Sequence, residues 1–399
     1  MARHSQQTFD GMWSDLADIG RARAGGYRRF VWSDADLTLR EWFVQQANDR
    51  GMGVREDRAG NLWAWWGDPT AGDAVVTGSH LDSVPSGGAF DGPLGVVSGF
   101  LAVDRLLEAG TMPDRPIAVV AFSDEEGGRY GIACGGSRLL TGALAPDRAL
   151  ALRDDDGVTQ AEALRAAGRD VDSFGADPAA LGAIGTFVEL HVEQGRGLVD
   201  LDAPVGVASA IRGHGRWRFD LVGRPDHAGT TRLDDRDDPM LAQARLVLAA
   251  RDAARRHGAV ATVGKVRVEP NAVNAIPSRV QAWVDARADD DETVRAVVAD
   301  IAAAVGVEAD EESWTARVDF EPVLRDRLVT ALDGAPVLPT GAGHDAGILA
   351  TAGIPAAMLF VRNPTGVSHS PAEHAERADC HAGVAALTRC VADLVQGPA

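Results

Sequence analysis

Apolar positions along the chain fall into two rhythms. Phe9, Met12, Trp13, Leu16 and Ile19 recur at helical spacing, as do Leu39, Trp42, Phe43 and Ala47 ahead of Gly51, which predicts two opening helices. Residues 61–66 read as one arm of a hairpin, 74–77 and 117–122 as buried strands, and 94–107 as a helix between them. Strand, loop, helix, strand is the mark of an α/β sheet, whose ligand-bearing loops leave the carboxyl ends of its strands. From about Val207 the rhythm changes to a strand through 217–222, a helix over 239–257, strands near 259–268 and 278–286, a helix over 291–305 and a strand over 314–320. That β-α-β-β-α-β order predicts a ferredoxin-like α+β insertion. Residues 346–350, 356–360 and a final helix over 379–395 return to the first style. The expected architecture is therefore a discontinuous α/β domain, residues 1–210 and 323–399, with a mixed sheet and flanking helices, interrupted by an α+β domain at 211–322.

Charge narrows the chemistry. With 39 basic and 58 acidic residues the chain carries a net charge of −19, spread along its length, which repels phosphate backbones and anionic membrane surfaces. Neither nucleic acid nor a membrane is an expected partner. Lys265 is the only lysine, in an alternating run that reads as a strand, so a P-loop, a pyridoxal Schiff base and a carbamylated-lysine metal site are all excluded. Three cysteines, Cys134, Cys380 and Cys390, lack any C-x-x-C spacing. The first residues lack the apolar stretch of a secretory leader, and no apolar run reaches the roughly 18 residues of a membrane span. A cytoplasmic location is expected.

The candidate chemistry lies at strand ends. His80 and Asp82 follow the strand at 74–77 in an i, i+2 arrangement that sends both side chains to one face, a metal ligand and the carboxylate that orients it. Asp91 lies among glycines in G-G-A-F-D-G-P, where the backbone is free to bring a carboxylate close to an ion. Asp124, Glu125 and Glu126 crowd the end of an apolar strand, an arrangement that is costly without a compensating cation. With His191 and His369, the residues His80, Asp91 and Glu126 form a mixed nitrogen and oxygen set suited to Zn, Mn or Co rather than Ca or Mg. Two ions bridged by one Asp is the economical arrangement.

Nine motifs then stand in order between residues 78 and 373: G-S-H-x-D-S-V-P, G-x-F-D-G-P-L-G-V, E-E-G, E-x-H-x-E-Q-G, D-H-A-G-T-T, N-x-I-P, D-x-R, G-A-G-H-D-A and S-H-S-P-x-E. This series resembles the M20 metallopeptidase superfamily, and within it the amidase branch of allantoate amidohydrolases, N-carbamoyl-L-amino acid hydrolases and β-ureidopropionases. The resemblance implies a catalytic domain with two divalent metal ions per subunit, zinc or manganese with cobalt or nickel as further options, an inserted lid and dimerisation domain hinged near 208–212 and 321–325, and a homodimer. It implies that His80, Asp91, Glu126, His191 and His369 are the ligands, with Asp91 bridging, and that Glu125 is the general base while Asp82 orients His80. It implies further that His227 stabilises the oxyanion, commonly from the partner subunit, and that Asn274 and Arg287 grip a substrate carboxylate, with His214, Arg236 and His344 as further substrate-binding residues. The substrate expected is a small carboxylate-bearing ureido or amide compound, allantoate or an N-carbamoyl-L-amino acid. Arg232 stands where the family often has proline, and His214-Gly215 where allantoate hydrolases tend to carry Gln. Cations such as Arg232 and Arg362, if they line the pocket, would instead fit an N-formyl- or N-formimino-glutamate. An M20 aminoacylase or dipeptidase is a further alternative, and a catalytically dead binding protein is disfavoured because every ligand and the base are present.

Overall fold

The apolar runs at 74–77 and 117–122 become the strands Ala74–His80 and Ile117–Phe122, every residue of which is buried. They pair in parallel. Ala74–His80 also runs parallel to Ile184–Val192, and that strand to Ala356–Val361. Strands covered on both faces are largely apolar, and these four form the centre of a nine-stranded mixed sheet. Leu62–Trp66 pairs antiparallel with both Ile117–Phe122 and Gly53–Glu56, the hairpin partner its sequence called for. Helix Pro93–Glu108 opens with proline in its first turn and packs on the sheet and on the final helix, Arg377–Leu394.

The structure, a computed structural model, describes residues 8–396. Two compact units are present: one takes in the chain to Ser209 and again from Asp319, the other is Ala210–Val318. In the second unit a four-stranded antiparallel sheet has the order Ala309–Thr315, Gly213–Val222, Arg279–Ala288, Val260–Glu269. Burial alternates residue by residue along Gly213–Val222 and Arg279–Ala288, as expected when one face of a sheet is packed and the other open. The packed face carries Trp217, Phe219, Leu221, Val280 and Val284 against Leu246 of helix Pro239–His257 and Val297 of helix Asp291–Val305.

Two sequence readings needed correction. The last strand of the insertion lies at Ala309–Thr315 and not at 314–320, because its sequence, ADEESWT, is that of a charged edge strand without an apolar alternation. Ile184–Val192, a central strand, escaped notice because Glu189 and His191 interrupt its apolar run while both are fully buried. The three cysteines are free and buried. Lys265 is exposed on its strand, its ammonium 4.4 Å from the Trp283 ring centre. Among the described residues no helix is long and apolar enough to cross a membrane.

Candidate metal centre

The strand geometry decides where the ligands meet. His80 is the last residue of its strand and His191 the last but one of the neighbouring parallel strand, so both imidazoles reach the same carboxyl end of the sheet, with ring centres 5.9 Å apart. The loop after His80 brings Asp91 back beneath them. Gly92 makes this possible: its φ is +86°, and a Cβ there would lie 2.4 Å from the His80 ring. Asp91 Oδ1 then lies 3.1 Å from His191 Nε2 and 3.5 Å from His80 Nε2. Its other oxygen lies 3.5 Å from His369 Nε2, which is 3.3 Å from Glu126 Oε2. Asp91 thus belongs to two groups of metal-ligating side chains, His80–Asp91–His191 and Asp91–Glu126–His369.

Hydrogen bonding sets the tautomers. His80 Nδ1 faces the main-chain oxygen of Asp82 at 3.2 Å and His191 Nδ1 that of Val192 at 2.9 Å. A carbonyl only accepts, so Nδ1 carries the proton and Nε2 keeps its lone pair. Both Nε2 atoms are buried without a hydrogen-bond partner. Such orphaned acceptors, converging on a shared carboxylate, fit divalent cations with nitrogen and oxygen preference.

Three acids stand at the end of Ile117–Phe122. Asp124 and His369, both non-glycine, adopt left-handed backbone angles (φ +54° and +53°), the kind of local strain that collects at functional loops. The Asp82 carboxylate accepts the main-chain N–H groups of Glu125 and Glu126, each at 3.1 Å, and lies 3.4 Å from His80 Nδ1. Glu125 is buried, with Oε2 3.7 Å from His80 Nε2. Burial, reinforced by the neighbouring charges of Asp345 and Glu126, holds the Glu125 carboxyl well above the ordinary carboxylate range. Burial and the charge of Asp91 push Glu126 up to about 8. Burial disfavours charge on Asp91 too, yet in the absence of a cation protonation of the His191 and His80 imidazoles holds it well below its ordinary value. Without a cation, this much buried acid is only partly compensated.

A further set lies beside the first. His344 is buried, its ring centre 4.5 Å from that of His191, and with Glu189 and His191 it forms a third group with metal-ligating spacing. Glu189 accepts from Ser79 Oγ at 2.7 Å and from the Ala346 N–H at 3.1 Å. Gln194 was missed by sequence reasoning as a site residue: its amide donates to Asp91 Oδ2 at 2.9 Å and to Ser368 Oγ at 3.1 Å. The signal was its place three residues after His191.

The remaining candidates stand in the inserted unit, where they form two pairs. The short strands Asp226–His227 and Ala275–Ile276 run antiparallel, and the Ala228 N–H bonds the Asn274 carbonyl at 3.0 Å, which sets His227 and Asn274 side by side on exposed loops. Arg236 closes that loop, its guanidinium bonding the carbonyls of Ala228 at 2.7 Å and Thr231 at 3.1 Å. His214 and Arg287 are direct cross-strand neighbours on the open face of the sheet, and Arg287 grips Asp285 with two bonds of 2.8 and 3.1 Å. Burial and the charge of Arg287 lower the pKa of His214. Arg232 is exposed. Arg362 does not support the glutamate reading: its guanidinium is bound in a two-point grip by Asp379, at 2.8 and 3.0 Å, and reaches Asp202 at 3.2 Å.

Comparison with known proteins extends over both units. Residues 76–393 match the model of peptidase family M20/M25/M40. The N-carbamoyl-L-amino acid amidohydrolase of Geobacillus stearothermophilus is 38% identical, with 96% of this chain and 97% of that protein aligned. The allantoate amidohydrolase of Bacillus subtilis is 33% identical over 94% of each. The crystal structure of a hydantoinase/carbamoylase family amidase from Burkholderia multivorans superposes with a TM-score of 0.86 at 32% identity, covering 98% of this chain and 99% of that one.

Proposed function

The chain belongs to peptidase family M20/M25/M40 and is an amidohydrolase acting on carbon–nitrogen bonds; on that premise we propose that it cleaves the ureido C–N bond of an N-carbamoyl-L-amino acid or of allantoate, using two divalent ions. The observation that carries this reading is Asp91, a buried carboxylate shared by two groups of ligands, in the first of which the buried Nε2 atoms of His80 and His191 have no hydrogen-bond partner. His80 and His191 would hold one ion and Glu126 and His369 the other, with Asp91 common to both. Zinc or manganese, with cobalt or nickel as further fits, would there lower the pKa of a shared water and polarise the substrate carbonyl. Glu125 takes the proton of the attacking water and returns it to the leaving nitrogen. Burial holds the Glu125 carboxyl well above its ordinary range, which favours its protonated form and so the return of the proton to the leaving nitrogen.

His227 meets the negative charge that develops on the carbonyl oxygen, serving the partner subunit's reaction in a homodimer. Arg287 and Asn274 bind the substrate carboxylate, the guanidinium exchanging Asp285 for it, with His214 beside them and Arg236 keeping the His227 loop closed. His344 completes the substrate-binding set. The inserted unit serves as lid and dimerisation domain. Its edge strand Val260–Glu269 and the exposed Leu241, Val247 and Leu248 of the adjoining helix support a homodimer built on that face. With Arg362 engaged by Asp379, no free cation there favours the glutamate derivatives over the ureido compounds.

The test is product identity. Metal-reconstituted protein is offered allantoate, N-carbamoyl-L-amino acids and N-formyl-L-glutamate in parallel, with ammonia and formate assayed in each. Ammonia from allantoate or a carbamoyl compound is expected; formate without ammonia would move the substrate to N-acyl glutamates.

A further inference from the structure

Glu373 carries no role in the scheme above, yet it sits 95% shielded from solvent against the residue on which that scheme turns. Its Oε1 accepts the main-chain N–H groups of both Phe90, at 2.9 Å, and Asp91, at 3.0 Å. Ser368 Oγ stands 3.3 Å from Glu373 Oε2 and 3.3 Å from Asp91 Oδ2, so side chain as well as main chain of Asp91 is tied to the segment 368–373. Room for the carboxylate is provided by Gly88, where a Cβ would lie 2.2 Å from Oε1. From the other side Phe90 is flanked by Trp13, with ring centres 4.9 Å apart, and by His374 at 6.0 Å. The peptide that aims Asp91 is therefore gripped from two directions by groups distant in sequence.

The same device recurs around the cluster. Asp82 accepts the N–H groups of Glu125 and Glu126, and Glu193 those of Gly197 and Leu198, at 2.6 and 2.9 Å. A carboxylate accepting two main-chain donors makes charge-assisted bonds that fix a loop more firmly than neutral ones. The cluster's ligands differ in how much they need this. His80 and His191 are held by ladder-paired strands, whereas Asp91 and His369 lie on loops and Glu126 follows a strand end. Glu373 is four residues from His369 in the chain, so its grip couples the loop of one ligand directly to the loop of another.

We propose that Glu373 is the positioning residue that sets the distance between the shared Asp91 and His369, and with it the second ion's site, an inference that rests on the two-ion reading above. The groups that touch metal and substrate are elsewhere; Glu373 acts through Asp91, as outer partners of metal ligands do.

The experiment titrates Co²⁺ alone into metal-free wild-type protein and into Glu373→Gln, Glu373→Ala and Gly88→Ala, following visible absorption and heat, with thermal unfolding of each metal-free protein alongside. Wild type is expected to take two ions. Glu373→Gln should lie between wild type and Glu373→Ala, because the amide oxygen still accepts both N–H groups but without the charge. Glu373→Ala and Gly88→Ala should bind the first ion within a few-fold of wild type and the second about 10- to 100-fold more weakly, with cooperative unfolding preserved. Gly88→Ala keeps the carboxylate and displaces it, so it carries the same test if Glu373→Ala does not fold. Two ions at wild-type affinity in both variants, or equal weakening of both ions, overturns the proposal. A wild-type protein that takes one ion overturns the two-ion reading and this proposal with it.

Discussion

The two units treat charge in opposite ways. In the first, His80, Asp91, Glu125, Glu189 and His191 are withdrawn from solvent at the carboxyl ends of parallel strands, and the Nε2 atoms of His80 and His191 are left without a hydrogen-bond partner. In the inserted unit, Arg218, Asp220, Arg279, Asp285 and Arg287 lie on the open face of the sheet and pair with one another or with Asp310, partly exposed. Exposed pairs of that kind contribute about 0–1 kcal/mol and require no further explanation. Buried, orphaned groups are costly, and their persistence argues that something binds there. Apolar surface shows the reverse contrast. Nine of the thirteen exposed large apolar side chains recorded among the described residues fall between Val222 and Val273, in the inserted unit. The first unit hides its hydrophobic groups and buries charge for chemistry, while the second leaves apolar surface open on a helix face beside an edge strand.

The largest effect is expected when the buried acid is disarmed and the ion ligands are left in place. Glu125→Gln should lower kcat by about 10²- to 10⁴-fold while metal content stays at the wild-type level, measured by elemental analysis beside steady-state ammonia release. Full turnover in a metal-replete variant would remove Glu125 from its role. In the inserted unit His227→Ala should cost about 10²- to 10³-fold. If His227 serves its partner, mixing Glu125→Gln and His227→Ala chains restores activity, because one site of the mixed dimer has both groups intact. No restoration in a verified mixed dimer, or an active monomer, would assign His227 to its own subunit.

A smaller effect is expected at the exposed helix face. Leu248→Glu, at a side chain 63% exposed, should convert a dimer to a monomer in sedimentation with the fold of each chain kept. A gradual effect, a pH dependence of stability, is expected from the buried acids of the first unit. Burial raises Glu126 from its ordinary 4.5 to about 8 and Asp345 from 3.8 to about 8, so the folded metal-free protein binds protons that the unfolded chain has released. Stability of the metal-free form should therefore fall as pH rises from about 4 to 8, by at most about 1.4 kcal/mol per pH unit for each such group. Added metal should flatten that slope; denaturant titrations across the range give the answer.

Much of this was legible in the sequence, for identifiable reasons. Local rhythm carries secondary structure, so the first five elements of the insertion, β-α-β-β-α, appeared in the pattern of 217–305 and the sheet follows them. The five candidate ligands were legible because histidine and carboxylate at strand ends are conspicuous, and the fold brings His80, Asp91, Glu126, His191 and His369 into two groups with a common member. What escaped had a different character. Ile184–Val192 was hidden by its buried Glu189 and His191, and Ala309–Thr315 by edge-strand charge. The grip of Asp379 on Arg362 spans 17 residues and that of Glu373 on Asp91 spans 282, contacts for which no spacing rule exists. Gln194 reaches Asp91 across 103 residues for the same reason.

Two ions held on a shared Asp91 are proposed here to make the reaction possible. The direct test is stoichiometric: metal-free protein receives Mn²⁺ or Zn²⁺ in steps while ammonia release from an N-carbamoyl-L-amino acid and bound metal are measured in the same samples. No turnover is expected without metal, and a plateau at two ions per chain, with Asp91→Asn abolishing both the second ion and activity. Full turnover at one ion per chain, or an Asp91→Asn protein that holds two ions and works, would contradict the two-ion proposal.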